Sequence, residues 1–110
     1  MRARFAAYAK GRASFIMTTT DPRGPAFEAD EQAWRASILS FSRRTRFTAL
    51  EIIGTSAQDG LGWVRFRSSL QQNGRDGSFE ERSTFRLEGA DWLYVDGQIE
   101  PTRDSHEQKR

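Results

Sequence analysis

From Arg46 onward the chain alternates apolar and polar residues at every second position, and glycine-bearing turns cut that run into pieces. Phe47, Ala49, Glu51 and Ile53 fall on one face of an expected strand from Arg46 to about Ser56. Asp59-Gly60 marks a hairpin, after which Gly62 to Gln71 sets Val64 and Phe66 against Trp63, Arg65 and Arg67. Asn73 to Gly77 predicts a second hairpin turn. A third strand, Ser78 to Leu87, places Phe79, Glu81, Ser83, Phe85 and Leu87 opposite Glu80, Arg82, Thr84 and Arg86. Glu88-Gly89 then turns the chain into a last strand, Trp92 to Val95. Strands joined by turns this short pair antiparallel, because a parallel pair needs a crossover of a dozen residues or more.

Ahead of residue 45 the period is helical. Met1, Arg4, Phe5 and Tyr8 share a face that ends at Gly11, a C-cap residue type. Ala13 to about Thr19 predicts a second short helix, and Thr20 to Pro25 is turn chemistry with two prolines and a glycine. Asp30 is placed to cap a third helix in which Trp34, Ile38 and Phe41 recur at helical spacing. Helices followed by strands predict an α+β domain, its helices packed on one face of a four-stranded antiparallel sheet. No linker or repeat divides the chain, so residues 1–97 are read as one domain and residues 98–110 as a polar tail that frays.

Composition removes several kinds of chemistry. There is no cysteine, and the only histidine, His106, lies in the tail, so no metal site, no cofactor and no catalytic residue are assigned. Lys and Arg exceed Asp and Glu by only two, 17 against 15, which makes a nucleic-acid partner a weak expectation despite a pI near 9.5. The densest basic stretch, Arg43-Arg44-Thr45-Arg46, suits a solvated helix C-terminus. No apolar run reaches the length of a membrane span, and the first residues lack the apolar core of a signal peptide. A cytoplasmic protein with no membrane partner is the expectation.

The candidate site consists of polar groups in phase with apolar ones. Glu81 and Ser83 stand between Phe79 and Phe85 on the face meant for the helices, and Glu51 is in phase with Phe47 and Ile53. A carboxylate there calls for a charged or multiply donating partner, and Arg4, beside Tyr8 on the first helix, is the expected one. This cluster is read as a structural tie or as the polar part of a pocket. On the other sheet face, Trp63 flanked by Arg65 and Arg67 suggests an interaction surface, with a homodimer as the expected association. The same trio could instead stack on nucleic-acid bases. Trp34 is read as helix core and Trp92 as hairpin core.

Met1-Arg2-Ala3-Arg4-Phe5-Ala6-Ala7-Tyr8 resembles the opening of the bacterial YchJ-like domain. Leu50-Glu51-Ile52, Gly62-Trp63-Val64-Arg65-Phe66 and the two C-terminal elements are similar to its later signatures, in the same order and from Met1 to about Gly97. The resemblance implies a nuclear transport factor 2-like (cystatin-like) fold, in which helices fill the concave face of a curved sheet and leave a cone with an interior cavity. Members of that family usually carry cysteine-rich SEC-C zinc motifs, which this sequence lacks, so zinc and its docking role do not carry over. Where relatives tend to have histidines, this chain has Asp21 and Glu80. The functional expectation is a non-catalytic protein- or ligand-binding module. The alternatives are a small-molecule enzyme of hydrolase, isomerase or lyase type using the cone cavity, and an RNA- or ribosome-associated protein.

Overall fold

A computed structural model describes residues 1–100. The first helix, α1 (Arg2–Lys10), stops where Gly11 turns left-handed at φ 68°, with Gly11 N donating to the Tyr8 carbonyl and Arg12 N to that of Ala7. Next come α2 (Ala13–Thr18) and α3 (Glu31–Arg43), the latter opened by Asp30, whose carboxylate accepts from Ala33 N at 3.1 Å. The strands are β1 (Thr45–Gln58), β2 (Leu61–Gln72), β3 (Arg75–Asp76), β4 (Phe79–Glu88) and β5 (Asp91–Glu100). They form one antiparallel sheet in the order β1-β2-β4-β5, with β3 folded back on β2. This is the expected α+β architecture, with a fifth, two-residue strand in addition.

Both hairpin signals are turns of the kind that matches strand twist. Asp59 and Gly60 have φ of 55° and 77°, Asn73 and Gly74 of 53° and 75°. The stretch expected as one turn, Asn73 to Gly77, is shorter as a turn than its composition suggests, because Arg75 and Asp76 already pair with Gln72 and Gln71. The last strand also continues past Val95 and Gly97 to Glu100, since a register shift near Val95 lets the polar residues beyond it keep pairing with β4. Residues 101–110, the remainder of the expected tail, lie outside the described residues.

The first strand departs from its simple alternation. Register shifts at Thr48 and Ile53 each insert a residue that faces no partner. Phe47, Leu50 and Ile52 therefore share the inner face, opposite Leu70, Ser68 and Phe66. Glu51 is turned outward, opposite Arg67, and Ile53 is 46% exposed.

The helices cover the inner face. Ala7, Ala13, Ile16, Trp34 and Ile38 pack together as the core between them, and Phe66, Leu70 and Phe85 are the buried apolar residues of the sheet. The segment after α2 does more than connect. Tyr94 N donates to the Thr19 carbonyl and Asp21 N to that of Tyr94, each at 2.8 Å, so this segment lies against β5 like a parallel strand. Gly24 makes the close approach possible, since a Cβ there would sit 2.9 Å from the Val95 carbonyl oxygen. Trp92 is 42% exposed and rests over Gly62 instead of entering a core.

Candidate functional site

Between the helices and the inner sheet face lies a cleft of about 440 Å³. One wall is a run of edge-to-face rings: Phe5 on Phe47 with centroids 5.5 Å apart, Phe47 on Phe41 at 5.7 Å, and Phe41 on Tyr8 at 5.7 Å. The sheet side adds Phe66, Phe79 and Tyr94, and Ser68 lies buried among them. Glu81 reaches the same cleft from β4. Its Oε2 accepts from the Ser83 hydroxyl at 2.8 Å and from the Tyr94 hydroxyl at 3.3 Å. Ser83 has no exposed surface at all.

The expected ion pair is absent. Arg4 is buried at 7% exposure, yet among the described residues no cationic nitrogen comes within 4.0 Å of the Glu81 carboxylate. Arg4 Nη1 donates instead to Thr19 Oγ1 at 2.9 Å, and to the Ile16 carbonyl and Thr20 Oγ1 at 3.4 Å each. The guanidinium carbon stands 4.3 Å from the centre of the Tyr94 ring. The C-terminal turn of α2 offers Arg4 carbonyl and hydroxyl oxygens within hydrogen-bond reach, which the Glu81 carboxylate is not. A fixed fork of donors takes the partners that satisfy several of its hydrogens.

Arg4, Tyr8 and Glu81 are thus brought together around one space, with Ser83 buried behind Glu81; Glu51 is not, because the β1 irregularity at Thr48 turns it to the outer face. Burial first, then the Glu81 charge, pushes the Tyr94 phenol far above its ordinary range. The Tyr8 phenol is also raised by burial, against the opposing pull of Arg4. Tyr94 carries no signal of its own in composition. Counting back from the Gly89 turn places it directly opposite Phe85, which is where it stands.

Gly97 makes room for this arrangement, since a Cβ there would overlap both the Glu81 carboxylate and the Tyr94 hydroxyl. Gly97→Ala is expected to drive the carboxylate off Tyr94 and to lower stability by about 1–3 kcal/mol. Urea unfolding reads the loss, and a midpoint equal to that of the parent chain would show that the bond carries nothing.

A second polar centre was not apparent in the sequence. Asp21, 4% exposed, receives Arg86 Nε at 2.8 Å and Arg86 Nη2 at 3.2 Å, and the Arg23 backbone N–H at 3.0 Å. The hydrogen bonds from Arg86, then that from Arg23, pull its carboxyl down from 3.8 to about 2. A depressed carboxyl contributes stability that is complete above its unfolded value and disappears as pH falls through its folded one. Thermal midpoints should therefore fall as pH goes from about 4 to about 2. Asp21→Asn should flatten that acid limb while lowering the midpoint at neutral pH, and a limb of unchanged steepness would exclude this origin.

On the outer sheet face Trp63 is half-buried, lying over Gly54 with the Arg82 guanidinium carbon 4.5 Å from its ring centre. Arg65 meets Glu80 at 3.2 Å and Glu100 at 4.0 Å, and Arg67 meets Glu80 at 3.8 Å. The three expected interface residues do share a face, as part of a lattice of opposite charges. Among the described residues no group of three or more His, Cys, Asp or Glu side chains could hold a metal ion. Among the same residues no helix is long and apolar enough to cross a membrane.

A family model described as YchJ, middle NTF2-like domain, matches residues 1–97. A UPF0225 protein of Streptomyces avermitilis is 37% identical over 102 residues, which cover 90% of this chain and 63% of that protein. Another from Streptomyces coelicolor is 38% identical over 103 residues, covering 90% of this chain and 71% of its own length. The solution structure of a SEC-C motif containing protein from Rhodopseudomonas palustris has a TM-score of 0.78 at 29% identity, covering 92% of this chain and 76% of that one. A SEC-C motif containing protein from Psychrobacter arcticus shares the fold at 20% identity, with a TM-score of 0.68 and coverage of 93% and 59%.

Proposed function

This chain belongs to the YchJ family through its middle NTF2-like domain, and on that footing we propose that it is a binding module whose cleft takes a small, largely apolar molecule. The observation that carries the reading is the cleft itself. About 440 Å³ lined by aromatic rings, with a few convergent polar groups at one end, has the size and make-up of a small-molecule site. Binding is favoured over catalysis by the company Glu81 keeps. Its hydrogen-bond partners are two hydroxyls, and the Tyr94 phenol holds its proton far above neutral pH. Both hydroxyls hold the carboxylate as an acceptor, and among the described residues no histidine, lysine or second carboxylate lies within hydrogen-bond distance to form an acid–base pair with it.

Fluorescence titration with the neutral apolar dye N-phenyl-1-naphthylamine tests the proposal. The parent chain should bind the dye, and Ser68→Phe, which fills the cleft from its buried floor, should abolish the signal while keeping the fold by circular dichroism. Dye binding that survives the filled cleft would overturn it.

Self-association through the outer sheet face is a separate proposal, supported by the broad side of Trp63 under Arg82 and by the self-complementary charges around it. Light scattering at high protein concentration should show a dimer that salt weakens; a monomer at every concentration would end it.

A further inference from the structure

We infer that the cleft selects a protonated organic amine carrying an aromatic or similarly apolar body. The inference rests on the binding reading above and names the ligand class for the same site. Glu81 is the starting point. Its Oε2 is held by the Ser83 and Tyr94 hydroxyls, while Oε1 has no hydrogen-bond donor among the described residues. Arg4 lines the same cleft and acts on Glu81 through its charge, but its hydrogen bonds go to Ile16, Thr19 and Thr20 at the end of α2, so Oε1 is left without a donor. A carboxylate in a ring-lined space with one uncommitted oxygen is completed by a donor that brings positive charge, because charge-assisted bonds are the strong ones.

The surrounding rings point the same way. Faces of Tyr and Phe attract cations; the Arg4 guanidinium already takes that of Tyr94, which leaves the phenylalanine rings of the cleft for an incoming one. A carboxylate beside several aromatic rings suits an ammonium with an apolar body better than it suits an alcohol or an acid. An acid would place like charges together at Glu81. An alcohol would make the hydrogen bond without the charge. At the mouth, Arg44 lies over Phe41 and Glu28 stands nearby, so the entrance carries both signs and the discrimination falls to the floor.

The test compares three probes of nearly equal size, benzylamine, benzyl alcohol and benzoate, by amide chemical-shift titration of the ¹⁵N-labelled chain at neutral pH. Benzylamine should move the Ser83 and Gly97 amides at concentrations at least tenfold below those benzyl alcohol needs, and benzoate should move them least. In Glu81→Gln the preference for the amine over the alcohol should disappear while the alcohol still binds. Equal or better binding of the alcohol or the acid, or amine shifts confined to the outer-face carboxylates Glu80 and Glu100, would overturn the inference and leave the cleft a binding site. Silence from all three, together with failure of the neutral dye, would instead bring down the binding reading.

Discussion

Arg4→Ala is expected to lower the unfolding free energy by about 2–4 kcal/mol, through lost charge-assisted hydrogen bonds and a cavity at the seam of α1 and α2. The guanidinium is buried and joins the first helix to the Ile16 carbonyl and to the Thr19 and Thr20 hydroxyls. Arg4→Met keeps the stem and much of the volume, so it should recover part of the loss and isolate the hydrogen-bonding share. The geometry makes a sharper statement about Glu81. A direct buried pair would leave a stranded charge when either partner is removed, at about 3–5 kcal/mol. Because no direct bond joins the two side chains and they meet only through Tyr94, the Arg4→Ala and Glu81→Gln losses should nearly add, with a coupling of about 1 kcal/mol or less in a double-mutant cycle. A coupling of several kcal/mol would mean that Arg4 turns to Glu81 in solution.

Trp34→Ala should have the larger effect, roughly 3–5 kcal/mol. The indole is 7% exposed, packs with Ile16 and Ile38, and meets Phe27 edge-to-face at 5.1 Å. For a domain of this size that loss corresponds to a drop in Tm on the order of 15 °C or more. Trp34→Phe, which keeps a ring in place, should cost much less. Differential scanning calorimetry of the pair decides the matter, and similar midpoints for alanine and phenylalanine would show that the indole is not packed as described.

Local chemistry was readable where one residue type does one job. Asp30 before an apolar period became the α3 cap, Gly11 became a left-handed helix end, and Asp59-Gly60 and Asn73-Gly74 became tight turns. The inner face of β4 was also legible, because Phe79 to Leu87 keeps strict alternation without a bulge. The misplacement of Glu51 and Ile53 has a single physical cause: each added residue in β1 inverts the phase of all that follow, and neither Thr48 nor Ile53 announces itself by type. The Asp21–Arg86 pair escaped because its members are separated by 65 residues, one in a proline turn and the other on a strand face that reads as solvated. Arg4 was recognised as buried and polar, but its choice among several acceptors was decided by the fold of α2, which periodicity does not describe.

The segment laid against β5 has a consequence for the order in which the chain can assemble. Each strand of the sheet after β1 pairs with one completed a few residues earlier, β3 and β4 both with β2, so the sheet can grow as it is synthesised. The segment after α2 has no such neighbour at hand: the Thr19–Tyr94 and Asp21–Arg86 bonds join it to the strands made last. Closing so long a loop is slow relative to hairpin formation. That segment is therefore made early and docks last, and until Tyr94 has been added the space above the sheet has no completed wall.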